Sequence, residues 1–287
     1  MRLSTGIEAI DELLGGGLRK GSMVLVLGAT GAGKTHLGLS FANAGLKQEG
    51  RRGLVLDLVA RGDSQNHAKY ARRLFNWKIE RFNGIKKENF WEEYENTGEL
   101  LEIFSSAIKS PSMEELSQED YMEYMRNLHI TLDKVLAFFY AGFLQGRKRV
   151  VIDGLEPARE FKDNLQYEVL DFFLRKIFRN SHDWIAREYF REKFLSYKNS
   201  VETHTFGKDN LTMVLQTTSE TMIEELITRK ISDSGFEANA TTVILMGRAF
   251  EDNSVKRKLY IVKHRGSYCS DEIVDYQITE KGIELKL

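Results

Sequence analysis

The feature that most constrains this chain is Gly28-Ala29-Thr30-Gly31-Ala32-Gly33-Lys34-Thr35, a full G-x-x-x-x-G-K-[ST] match. It follows an apolar run, Met23 to Leu27, and precedes helical spacing at Leu37, Leu39 and Phe41. A buried strand that ends in a glycine loop and re-enters as a helix aims backbone N–H groups and the positive end of that helix at one point, which makes an anion site. Glycines let the backbone wrap phosphates, Lys34 reaches β and γ oxygens, and the Thr35 hydroxyl is a ligand for Mg²⁺. The motif therefore predicts a phosphate cradle for ATP from Gly28, Ala29, Thr30, Gly31, Ala32, Gly33, Lys34 and Thr35, continuing into His36 in the first helical turn.

A phosphate-bound metal needs a further carboxylate, and Arg149-Val150-Val151-Ile152-Asp153-Gly154 supplies one at the end of an apolar strand. Asp153 is the second expected Mg²⁺ ligand beside Thr35. The rest of the chain alternates in the same manner. Gly53 to Leu58 reads as a strand before a helical stretch from about Ser64 to Phe75, and Leu100 to Phe104 as a short strand. Leu128, Leu132, Val135, Leu136 and Phe139 share a helix face ahead of the Val150 strand; Met213 to Gln216 is a further buried strand. Thr242 to Met246 and Lys258 to Val262 form a hairpin around Glu251-Asp252-Asn253. Near the N-terminus, Ser4 and Thr5 are placed to cap a helix from Ile7 to Leu14. This pattern predicts an α/β fold with a mostly parallel central sheet, helices on both faces and a C-terminal antiparallel hairpin, with ligands at the carboxyl ends of the strands.

Length and composition narrow the field. A chain of 287 residues with 42% hydrophobic content fits one large domain, 1–287, with insertions. Lys and Arg (41) nearly cancel Asp and Glu (42), so no global field draws it to nucleic acid or anionic lipid. One cysteine, Cys269, excludes an internal disulfide and a multi-cysteine zinc site. No run approaches eighteen apolar residues and no apolar leader opens the chain, which makes the cytoplasm the expected address and a membrane an unexpected partner. The segment 181–208, with Trp184, Tyr189, Phe190 and Phe194 among charges, reads as a helical hairpin on its own core in preference to a partner-binding arm.

Ser4-Thr5-Gly6, Asp11, Gly15-Gly16-Gly17-Leu18, the glycine loop, the Asp153 strand and Lys263-His264-Arg265-Gly266-Ser267 together resemble a single-domain member of the KaiC-like branch of RecA-type ATPases. The resemblance runs over nearly the whole chain, with 181–208 and parts of 79–98 and 110–130 lacking a counterpart. It implies a RecA-like fold, ATP bound between neighbouring subunits, and a homo-oligomer, commonly a hexameric ring. It also implies that Lys263 and Arg265 reach the phosphates of a neighbouring copy, where fixed positive donors neutralise charge on the γ-phosphate. On spacing alone the same residues read as a solvated basic strand edge.

One departure stands out. The family pattern carries two glutamates after the second strand to orient or deprotonate the attacking water. Here Leu56-Asp57-Leu58-Val59-Ala60-Arg61-Gly62-Asp63 has none. Alignment from Phe75-Asn76-Trp77 places Asp63 at an acidic position, alignment from the strand favours Asp57, and Asp63 also suits a helix cap. Aspartate is one methylene shorter, so the water is expected to be held poorly and turnover to be slow or lost. Gln216-Thr217-Thr218 resembles a γ-phosphate sensor or a turn; Ser232 and Ser234 lie where some KaiC domains phosphorylate themselves, and read more simply as loop serines. The six histidines show no metal spacing. Three functions are consistent with this sequence: an ATPase coupled to assembly or a protein partner, a nucleotide-dependent binding module with little hydrolysis, and a RecA-like DNA-binding protein. The near-zero net charge and the mixed-charge Glu224 to Asn239 segment count against the last.

Overall fold

Val24, Val26, Val55, Val151, Val214 and Ile244 contribute to one apolar layer, while Leu25, Leu54, Leu56, Val150, Ile152, Val243 and Leu245 contribute to the other. Successive side chains on a strand point to opposite faces, so a strand apolar at every position needs cover on both. The computed structural model, which describes residues 2–58, 66–103, 117–155, 176–177, 182–207, 212–218, 222–228 and 239–286, supplies that cover. In chain order its strands are β1 (Arg2–Leu3), β2 (Leu18–Arg19), β3 (Met23–Gly28), β4 (Leu54–Asp57), β5 (Leu100–Glu102), β6 (Arg149–Leu155), β7 (Thr212–Thr218), β8 (Thr242–Glu251), β9 (Ser254–His264), β10 (Val274–Thr279) and β11 (Gly282–Lys286). Its α-helices are α1 (Glu8–Leu13), α2 (Lys34–Glu49), α3 (His67–Phe75), α4 (Phe90–Glu93), α5 (Gln118–Leu144), α6 (His182–Phe190), α7 (Phe194–Thr203) and α8 (Ile223–Thr228).

The nine-stranded sheet runs β11-β10-β9-β8-β3-β7-β6-β4-β5. The strands from β5 to β8 are parallel, and β8 to β11 are antiparallel. This is the α/β architecture that the alternation of strands and helices predicts, with two more strands at the antiparallel end than the expected hairpin. The β8–β9 turn places Asp252 and Asn253 at φ 47° and 58°, the two left-handed central residues of a tight hairpin.

Other boundaries differ for local reasons. Ser4 and Thr5 do not cap α1 through its amides; both bind Asp11, with Ser4 Oγ donating to Oδ2 at 2.5 Å and the Thr5 amide to Oδ1 at 2.7 Å. Helix α5 starts ten residues before Leu128 because Ser117 caps it, accepting from the Asp120 amide at 3.2 Å. Arg149, at the head of β6, is fully buried beneath α2, paired with Glu49 at 2.8 Å and donating to the carbonyls of Ser4 and Phe41. Helix α6 lies against α4 and α5 through aromatic contacts, and α7 packs on α6, where Phe190 meets Tyr197 at 4.7 Å. Phe90 stacks on Tyr140 at 5.1 Å and meets Tyr189 and Phe190 at 5.2 and 5.4 Å. No helix among the described residues is long and apolar enough to cross a membrane.

Candidate functional site

The site begins where β3 runs out. Gly28 sits opposite Met246 of β8 so closely that an added Cβ would lie 1.9 Å from the Met246 carbonyl oxygen, so only glycine fits there. Five residues on, Gly33 takes φ 93° as the residue preceding α2, which turns the chain from loop to helix without a Cβ penalty. Tyr276 of β10 donates from its hydroxyl to the Ala32 carbonyl at 2.5 Å, tying the antiparallel end of the sheet to the loop. The Lys34 ammonium is buried and donates to the carbonyls of Gly28 and Ala29, each at 2.9 Å, so it lies across the mouth of the loop it belongs to. Thr35 is buried beside it and donates from Oγ1 to Asp153 Oδ2 at 2.7 Å.

Asp153 comes from β6 and Asp57 from β4, and the two are register partners on adjacent parallel strands. Two buried carboxylates side by side repel, and a cation between them offsets that repulsion. The pairing group is His67, the first residue of α3, whose Nε2 is 3.0 Å from Asp153 Oδ2 and whose Nδ1 is 3.3 Å from Asp57 Oδ2. Burial pushes the His67 pKa down, but the bonds and charges of Asp153 and Asp57 outweigh it and raise it to about 10. The imidazolium is thus a cation held between two carboxylates, one of which also accepts from Thr35. Asn66 fixes the start of α3, accepting from the Lys69 amide at 2.9 Å, so Asn66 rather than Asp63 caps this helix.

These are hard oxygen donors converging at a phosphate loop, and the Thr35 hydroxyl with the Asp153 carboxylate suits Mg²⁺. No group of three His, Cys, Asp or Glu side chains that could hold a metal occurs among the described residues, so any Mg²⁺ here needs oxygens from nucleotide and water as well. The other expected residues distribute as follows. His36 turns its ring toward α3, edge-on to Tyr70 at 4.9 Å and with Nε2 3.2 Å from Arg73 Nη2; burial and the Arg73 charge lower its pKa. Asp63, Ser232 and Ser234 lie outside the described residues, as do the side chains of Gln216, Thr217 and Thr218.

Lys263 and Arg265 are not brought to this loop. His264 pairs with Thr242, which pairs with Val24 at the start of β3, whereas Gly28 lies four residues further along, about 13 Å of strand. The intervening His264 is locked. Arg2 Nη1 donates to its Nε2 at 3.2 Å, which leaves the proton on Nδ1 for Thr242 Oγ1 at 2.8 Å. Burial, with Arg2 and Arg19 nearby, lowers the His264 pKa, in keeping with that neutral ring. Arg19 donates to the Arg265 carbonyl at 3.3 Å, and burial followed by the Arg265 charge lowers the Lys263 pKa.

The functional residue that spacing does not reveal is His67. It stands alone in sequence, ten residues past Asp57. Its usable signal is topological: a helix that follows a parallel strand begins near the carboxyl edge of the sheet, so its first residues border the site.

Comparison with known proteins points to one family. The family model described as ATPase: KaiC matches residues 3–189. The circadian clock oscillator protein KaiC of Thermostichus vulcanus is 24% identical over 286 residues, covering 100% of this chain and 42% of its own length. That of Rippkaea orientalis is 24% identical over 281 residues, covering 98% and 41%. The chain therefore spans about two fifths of the curated relatives it matches. The crystal structure of the KaiC-like protein PH0186 from Pyrococcus horikoshii OT3 aligns with a TM-score of 0.53 and 20% identity, covering 100% of this chain and 99% of that one, a likeness of fold.

Proposed function

Because this chain belongs to the KaiC family of ATPases, we propose that it binds Mg-ATP on Gly28 to Thr35 and hydrolyses it slowly, residues 1–287 acting as one ATPase unit. The observation that carries this reading is the convergence of four separate elements, the β3–α2 loop, β4, β6 and α3, on one buried point next to Lys34. Lys34 and the loop amides bind the phosphates, with Lys34 exchanging its loop carbonyls for phosphate oxygens. Thr35 and Asp153 hold Mg²⁺, whose charge offsets that of the β and γ oxygens when it is bound. Asp57, or Asp63 where the chain continues past β4, orients the attacking water.

The self-associated form completes the site. Lys263 and Arg265 lie at the wrong end of their own strands to serve their own loop, so they act on the next copy in a closed ring, and the trans donation couples turnover to assembly. A six-membered ring is the form the family resemblance favours. A second reading, a nucleotide-dependent switch with little hydrolysis, is favoured by one observation: Asp57, a candidate base, is already committed to His67. Measuring molecular mass and phosphate release with and without Mg-ATP separates these readings. Assembly with release supports the ATPase; assembly with ATP bound and no release supports the switch; neither, with no ATP retained, overturns both.

A further inference from the structure

The sequence run Lys256-Arg257-Lys258 looks like a uniform basic edge, but the structure splits it. Lys256 and Lys258 are both paired with Glu251, at 2.9 and 2.5 Å, and Lys258 also with Asp275 at 3.0 Å. Arg257 between them points to the opposite face, and its Nε is buried with no hydrogen-bond partner. Directly across the hairpin from Arg257 is Arg248, and directly across on the other side is Tyr276. Three side chains on neighbouring strands therefore share one face, and that face is the one against the phosphate loop. Tyr276 bonds the Ala32 carbonyl, and Arg248 Nη2 is so near that a Cβ on Gly31 would lie 3.3 Å from it.

Like charges at directly opposed positions of an antiparallel pair oppose folding, and a buried donor without a partner costs more. Among the described residues no carboxylate pairs with either guanidinium, although Glu251 and Asp275 neutralise the lysines beside them. The two charges also make themselves felt at Tyr276, where both act to lower a phenol pKa that burial raises. An opposed arginine pair that has one buried, unpartnered Nε and faces a phosphate loop fits an anion site.

We propose that Arg248 and Arg257 form a second cationic wall of the nucleotide site, in the same subunit as the loop, and bind the phosphate chain of the nucleotide. This rests on the P-loop reading above and adds two contacts to it. Guanidinium forks match phosphate oxygens in pairs, which a lysine cannot do.

The test is calorimetric titration of Mg-ATP, and of tripolyphosphate as a probe with neither base nor ribose, into wild type, Arg248→Gln, Arg257→Gln, the double variant and Arg248→Lys. Each Gln variant is expected to lose roughly tenfold or more in affinity for both probes, with Arg248→Lys intermediate. Melting without nucleotide should stay at or above wild type, because a repulsion is removed, while the ATP-induced rise in Tm shrinks. Should the double variant fail to fold, the single variants carry the result. Affinities within twofold of wild type in Arg248→Gln and Arg257→Gln overturn the inference. So does a loss for ATP with none for tripolyphosphate, which would place the arginines on the base or ribose. Lys34→Ala, run alongside, keeps the two readings apart. If it too binds ATP normally, the P-loop reading has failed; if it alone loses ATP, only the arginine wall has failed.

Discussion

The two ends of the parallel strands are built on opposite principles. Where β3, β4 and β6 finish, the charged groups close on one another: His67 spans Asp57 and Asp153, Thr35 donates to Asp153, and Lys34 donates into its own loop. Where β8 starts and β9 finishes, basic side chains gather instead. Arg2 and Arg19 donate to His264, Ser267 and the Gly17 and Arg265 carbonyls, bracing a turn that leaves Arg265 exposed. A set of groups whose charges already balance can exchange one cation for another with little rearrangement, which is what a site preorganised for metal and phosphate requires. A rigid, basic, exposed turn has charge to offer a second molecule. On the function proposed above, binding and activation would fall at opposite ends of one chain, and a ring would let each end meet the other.

The strongest way to break this comparison is to disable one end at a time. Arg265→Ala should lower turnover of the assembled protein by about a thousandfold, the lower range for an arginine acting in trans, while ATP affinity of the separate chain stays within threefold. Mixing it with Lys34→Ala subunits should restore part of the activity, because some interfaces then pair an intact loop with an intact Arg265. Dilution below the association range should remove that recovery. Co-assembled mixtures that stay inactive, beside an active wild type, would return Lys263 and Arg265 to an ordinary basic edge. Next in size, Lys34→Ala should cost roughly a hundredfold or more in Mg-ATP affinity with an unchanged melting profile, since an ammonium removed from the phosphates forfeits charge-assisted bonds. Unaltered affinity in equilibrium binding would remove the loop from function. Smaller again, Asp153→Asn should weaken ATP binding about tenfold with Mg²⁺ present and less than twofold in a chelator. Equal losses in both conditions would make Asp153 a structural partner of His67 and Thr35 alone.

How far these two ends can be read in the sequence follows from their range in the chain. The loop is local: eight consecutive residues between a strand and a helix carry their own geometry, and Gly28 and Gly33 stand in the places only glycine tolerates. The parallel order is nearly local too, since apolar runs that continue through every position demand a covered sheet, and they have one. What sequence periodicity leaves hidden is long-range. Nothing in the run Arg147-Lys148-Arg149 distinguishes a solvated turn from an arginine folded under α2 onto Glu49, a hundred residues away. His67 meets Asp57 and Asp153 only because β4 and β6 become neighbours, and Arg248 meets Arg257 only because the hairpin fixes its register. The strands β10 and β11 are short and carry charges on their outer face, so alternation over five or six residues gave little signal there.

The smallest expected effect sharpens the comparison by asking whether the closed end is held by a charge. His67 has a folded pKa of about 10 against an ordinary 6.5, raised by Asp153 and Asp57 against the opposing pull of burial. A group whose pKa is higher in the folded state binds its proton more tightly there. Its stabilisation is complete below pH 6.5, where both states are protonated, and declines as pH climbs toward 10, because the unfolded chain has already released the proton. The slope across that window is at most about 1.4 kcal/mol per pH unit. Other groups titrate in the same range, so the quantity to follow is a difference: Tm of wild type minus Tm of His67→Gln, without nucleotide or metal, at fixed ionic strength from pH 6.5 to 9.5. The difference should be largest at pH 6.5 and shrink steadily as pH rises. A difference that stays flat would mean a neutral ring between the carboxylates, and the closed end would then be joined by hydrogen bonds without the cation that makes it resemble a metal-filled site.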